Sequence, residues 1–256
     1  MSYQALAYQK KGKVGIIRIN PLINAKIIMA QLSNELFDLC EEISQDEEVW
    51  VLVLIGCGEN PFNMETDLFE LPRVNIESWI TFYSLTEPIA KLDRPIIAAI
   101  NGNAIGLGLE LTLACDIRIA AETSLFGFPH IKLGLIPWDG GTQRLPRLVG
   151  KSKAMEMILT GEEINAEEAY RIGLVNKVVP PKKLMTVVMD IAREMASKGP
   201  VALRYAKEAL NKGMDLTLKQ GLRLEADLYF LLHTTKDRAE GITAFRERRT
   251  PKFEGR

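Results

Sequence analysis

The chain reads as an α/β fold, and three observations say so. Residues 49–55 and 96–100 are continuous apolar runs rich in Val and Ile, the pattern of strands buried on both faces. Before them, Ile28, Met29, Leu32, Leu36, Phe37, Cys40 and Ile43 recur at three- and four-residue steps, which predicts an amphipathic helix. Strand then helix therefore repeats, as in layered α/β architectures rather than bundles.

The elements follow in order. Residues 14–19 (VGIIRI) read as a strand entering a core. Residues 61–74 are irregular in pattern, and 75–92 look helical. Pro95 opens the buried strand IIAAI, which meets a glycine-studded turn over residues 101–108 and then an apolar helix from Leu109 through Cys115. Asn165 is a good N-cap with Glu168 three residues on, and Gly173 stands where that short helix should stop. A last strand, residues 174–179, ends at Pro180-Pro181. After Gly199-Pro200, Leu203, Ala206, Leu210, Leu218, Leu222, Leu224, Leu228 and Leu231 mark helices with no further strand pattern. The expected division is thus an α/β core over 1–198 and a helical region over 199–256.

Composition narrows the function classes. With 32 basic and 33 acidic residues interspersed along 256, there is no broad basic face and no reason to expect nucleic acid. Three cysteines, Cys40, Cys57 and Cys115, lack metal-ligand spacing. Cys40 and Cys115 lie in apolar helical contexts, which fits reduced core thiols and a cytoplasmic setting. Two histidines without HxxxH or CxxC argue against a zinc site, and no metal is expected. The first residues carry no apolar signal-like run. Residues 96–115 have the length of a membrane span, but Asn101, Asn103, Glu110 and the glycines break it.

The chemistry gathers at the glycine turn. Glycines just before a helix let backbone N–H groups approach a ligand, and Glu110 is a single carboxylate inside an apolar helix. Such an acid is costly to bury unless it is hydrogen-bonded or used. The alternatives are a core carboxylate satisfied by backbone donors and a general acid or base beside an anion-stabilising turn. Gly106-x-Gly108 alone is not a dinucleotide fingerprint, because Leu111 stands at the third glycine position.

The stretch NGNAIGLGLELTLACD, followed by Phe126-Gly127, KLGLIP (132–137), GGTQRLP (140–146), LTG (159–161), Glu168-Ala169, GLV (173–175) and PKF (251–253), resembles the enoyl-CoA hydratase/isomerase (crotonase) family over nearly the whole chain. The resemblance is weakest over residues 20–85. It implies a spiral of repeated ββα units, a C-terminal helical trimerisation region and a homotrimer or homohexamer. The implied substrate is an acyl-CoA thioester, with coenzyme A as part of it and no separate cofactor. The implied step is a thioester enolate stabilised by two backbone N–H groups, here those of Thr66 and Leu107.

Glu110 matches one of the two glutamates of the family's hydratases, whereas His130 stands where the second is expected. Imidazole exchanges a proton near neutrality, and an ionised Glu110 nearby would raise its pKa, so His130 is the expected proton donor to C2. Leu107 replaces a common glycine, and leucine resists positive φ. Trp138-Asp139 replaces a small pair: Trp138 either narrows the acyl pocket or reshapes a loop, and Asp139 either supplies the lost acid or does the same. Glu65 either faces solvent or adds an acid to the pocket. Asn24, Ala25, Met64, Asp67, Leu68 and Gly106 are the expected substrate contacts, joined by a neighbouring subunit's Arg248, Lys252 and Phe253 or leaving those three as a solvated end. His233 reads as packing or interface. The expected reaction is hydration of a 2-enoyl-CoA or cyclic dienoyl-CoA. Isomerisation, decarboxylation, hydrolysis and a catalytically silent acyl-CoA-binding homologue are the alternatives.

Overall fold

The computed structural model describes residues 3–20, 25–58, 62–64 and 84–256, with residues 25–30 and 63 described through their backbone only. Strands β1 (Leu6–Lys11), β2 (Val14–Ile19), β3 (Val51–Gly56), β5 (Ile96–Ile100), β7 (Ile117–Ala121) and β10 (Lys177–Val179) form a six-stranded sheet in that order. Only the β1–β2 hairpin is antiparallel in it. A second sheet, ordered β4 (Phe62–Met64), β6 (Ala104–Gly106), β8 (Leu125–Gly127) and β9 (Ile164–Asn165), pairs Met64 with Gly106 in parallel.

Why the central strands read as unbroken apolar runs is plain from their alternation. Leu52, Leu54, Ile96, Ala98 and Ile100 join one core, while Val51, Val53, Ile55, Ile97 and Ala99 join another on the opposite face. The first core is closed by α1 (Ala25–Gln45), α2 (Thr86–Lys91) and α3 (Leu107–Leu113), and by the second sheet's Phe62, Met64 and Phe126. The second is closed by α7 (Leu184–Met195) through Leu184, Val188, Met189 and Ala192. Burying one such aliphatic side chain contributes about 1.5–3 kcal/mol. Phe37 departs from the expected apolar face of α1, being half exposed.

Three further helices lead from the second sheet to β10: α4 (Gly141–Val149), α5 (Lys151–Thr160) and α6 (Ala166–Arg171). Asn165 caps α6 as expected, its side chain accepting from the Glu168 N–H at 2.9 Å. From residue 200 on, the described chain is helical: α8 (Pro200–Gly213), α9 (Leu218–Leu232) and α10 (Lys236–Glu247). Lys207 ties α8 to the core by donating to the Asp116 carboxylate at 2.9 Å, and the same carboxylate accepts from the N–H of Ile96. The three cysteines are free, with Cys40 and Cys115 buried. Among the described residues, no helix is long and apolar enough to cross a membrane.

Candidate active site

The glycine turn of the sequence contains a strand. β6 occupies Ala104–Gly106 and runs straight into α3, with Gly106 at φ 62° and ψ −130°. The positive φ expected to trouble Leu107 thus falls on Gly106, where glycine adopts it without a side-chain clash. Leu107 becomes the first residue of α3, so its N–H has no carbonyl of its own helix to reach. Gly108 is required for a different reason: a Cβ there would sit 1.8 Å from the Phe62 carbonyl oxygen. β4 therefore lies against the start of α3.

That second amide, Thr66, lies outside the described residues, as do Asn24, Glu65, Asp67 and Leu68, and the side chain of Ala25. Met64, an expected substrate contact, is described, and its side chain is buried in the main core. Phe253, expected either to join a neighbouring subunit's site or to belong to a solvated end, packs on the second core, beside Gly199 and Gly241.

Glu110 lies on α3 and is fully buried. Its Oε1 accepts from the Gly141 N–H at 2.7 Å and the Asp139 N–H at 2.9 Å, whereas its Oε2 has no hydrogen-bond partner among the described residues. One oxygen is thus satisfied by backbone donors, while the other is unclaimed among the described residues. Burial pushes the carboxyl up to about 8, the two amides pull it down, and the charge of Asp139 adds to the rise. At neutral pH Glu110 is predominantly protonated. Gly141 is where this anchoring needs space, because a Cβ there would meet Glu110 Oε1 and Phe128 Cε1, each at 3.0 Å.

His130 follows β8 at the start of a short 3-10 helix (Pro129–Leu133) and is buried, and among the described residues neither ring nitrogen has a hydrogen-bond partner. Its ring lies 5.9 Å from that of Phe128. The expected upward shift does not occur: burial lowers its pKa to about 4. Desolvation of the buried imidazolium accounts for this shift.

Asp139 is also placed differently from expectation. Its carboxylate accepts from the Ser84 hydroxyl (2.6 Å), the Thr86 hydroxyl (2.9 Å) and the N–H groups of Leu85 (2.9 Å) and Thr86 (3.0 Å). An acid committed to four protein donors at the start of α2 is not a replacement proton donor. Trp138 beside it is partly buried against the main core. His233 is exposed near the end of α9, 5.2 Å from the Tyr229 ring.

The sequence and the fold both match one known family. The enoyl-CoA hydratase/isomerase family model matches residues 9–256. The crotonyl-CoA hydratase of Syntrophomonas wolfei is 38% identical, covering 99% of both chains. The 2,3-dehydroadipyl-CoA hydratase of Escherichia coli is 41% identical, covering 93% of this chain and 91% of its own. The crystal structure of an enoyl-CoA hydratase from Bacillus anthracis superposes with a TM-score of 0.92 at 38% identity, over 99% of this chain and 100% of that one. With the motifs, both sheets and the full length in agreement, this chain belongs to the enoyl-CoA hydratase/isomerase family and has its fold.

Proposed function

We propose that the protein adds water across the C2–C3 double bond of a 2-enoyl-CoA. The observation that carries this is Glu110: a fully buried acid whose Oε1 is fixed by two amides and whose Oε2 is unclaimed. The thioester oxygen sits between the N–H groups of Leu107 and Thr66, where donors aimed at a developing enolate charge are each worth about 2.7–4 kcal/mol. Oxygen from water bonds to C3 as the π electrons move onto the thioester oxygen. Neutral His130 takes the water proton, and protonated Glu110 gives its own to C2. Proton return from His130 to Glu110 closes the cycle. Coenzyme A arrives on the substrate, and no electron changes hands, so the reaction needs no redox partner.

One observation favours a second reading. Among the described residues Glu110 is the only buried acid with an unpartnered oxygen. A single such acid suits a proton shuttle between two carbons, which is double-bond isomerisation. Turnover of a panel of 2-enoyl-, 3-enoyl- and dienoyl-CoA esters, with products weighed by mass spectrometry, separates the two. Gain of one water supports hydration; an unchanged mass with a moved double bond replaces it by isomerisation.

The assembly belongs to the same proposal. Leu218, Leu222, Phe230 and Phe245 are all more than half exposed on α9 and α10, which suits burial between copies in a trimer or a pair of trimers. Light scattering after size exclusion measures this, and a monomer would contradict it.

A further inference from the structure

Asp139 uses every polar atom it has, and none is left for a substrate. Its N–H donates to Glu110 Oε1 at 2.9 Å. Its carbonyl oxygen accepts from Arg144 Nη1 at 3.0 Å and shares with its carboxylate the single hydrogen of the Thr86 hydroxyl, 2.9 Å from each. Its carboxylate spans to Ser84, Leu85 and Thr86, more than fifty residues earlier in the chain. Arg144 reaches back across Gly140, where φ is 110° and a Cβ would lie 1.9 Å from Nη1, and it also donates to the Thr86 hydroxyl at 3.1 Å. The two amides that hold Glu110 therefore belong to a loop stapled to the start of α2 by one buried carboxylate.

We propose that Asp139 is the positioning residue for Glu110: by fastening the loop of residues 138–141 to residues 84–86, it aims the Asp139 and Gly141 amides at Oε1 and leaves Oε2 as the oxygen that works. The proposal rests on Glu110 being the acid of the reaction above. Without the staple, the loop would be held mainly by Arg144, whose flexible side chain fixes direction poorly. Oε1 would lose its two donors together, because both come from the same short segment. Displacements of about an ångström at a reacting group commonly cost near 10²-fold in rate. The charged groups acting on Glu110 are Asp139 and Arg144, from this loop and the helix after it.

Asp139→Asn tests the idea, because it removes the charge and leaves one acceptor oxygen, which can serve the N–H groups of Leu85 and Thr86 or the hydroxyls of Ser84 and Thr86 but not both pairs. The readouts are kcat and KM on crotonyl-CoA, the thermal midpoint, and the titration of Glu110 in the ligand-free protein. The last is followed by the infrared band of the protonated carboxyl, assigned through Glu110→Gln. The expected result is a kcat lower by about 10–10²-fold with KM changed less than about threefold, together with a displaced Glu110 titration. Unchanged kcat would overturn the proposal. So would a reduced kcat with Glu110's titration unmoved, which would make Asp139 merely structural. Should Asp139→Asn fail to fold, Thr86→Val removes the hydroxyl shared by Asp139 and Arg144 and carries the same readouts. If the unaltered protein turns over no enoyl-CoA, the hydration reading falls, and the Glu110 titration alone still decides for or against Asp139.

Discussion

Replacing Glu110 by Gln should destroy activity and stabilise the protein at the same time. Gln keeps the shape and lets its carbonyl oxygen accept the Gly141 and Asp139 N–H groups at the Oε1 position. What it removes is a carboxyl that burial has raised from 4.5 to about 8. Between those two pH values the folded chain binds a proton that the unfolded chain has lost, so this group's contribution to stability falls as pH rises through the window. Each pH unit of that difference amounts to about 1.36 kcal/mol, so at pH 7 the native state carries a burden of ~3 kcal/mol that Gln does not. For a chain of this length that is a midpoint higher by ~5–10 °C. The assay is scanning calorimetry of both proteins at pH 5, 7 and 8.5, beside turnover of crotonyl-CoA. The stability gap should be small at pH 5 and widen to pH 8.5, while kcat falls about 10²–10⁴-fold. A Gln variant no more stable than the parent at any pH would refute the reasoning, since Glu110 would then be ionised at no cost.

His130 makes the opposite prediction on the acid side. Its folded pKa is depressed to about 4, so stability is full above 6.5 and is lost as pH falls toward 4; His130→Gln should flatten that loss in calorimetry, and it should lower kcat without removing any rate limb near pH 6.5. Gly141→Ala places a methyl 2.7 Å from Pro137 Cβ and 3.0 Å from Glu110 Oε1, so kcat should drop about 10²-fold with KM nearly unchanged in steady-state kinetics. Gly108→Ala meets the Phe62 backbone, which has no flexible end to move aside, and urea unfolding should show a loss of at least ~2–3 kcal/mol.

Legibility in the sequence followed the length of the signal. β3 and β5 were readable because strands covered on both faces are apolar at every position, and α6 because its Asn165 cap is a local contact. β6, β8 and β9 were not, since strands of two or three residues show no period and β6 is hidden in a glycine turn. The same turn hid which residue carries positive φ: side-chain preferences pointed at Leu107, but the backbone bends one residue earlier. Glu110 could be found from its isolation in an apolar helix. The work of Asp139 could not, because its partners at residues 84–86 come near only through the tertiary fold. His130 was found by position, but its protonation depends on burial that no local pattern records.

The most direct test is a crystal structure of the protein with an unreactive acyl-CoA thioester. The account predicts the thioester oxygen about 2.7–3.1 Å from the Leu107 N–H, with a second contact from Thr66. It also predicts Glu110 Oε2 facing the C2–C3 bond while Oε1 stays on the Gly141 and Asp139 amides. A thioester oxygen bound away from Leu107, or an Oε2 turned into the protein with the acyl chain elsewhere, would contradict it.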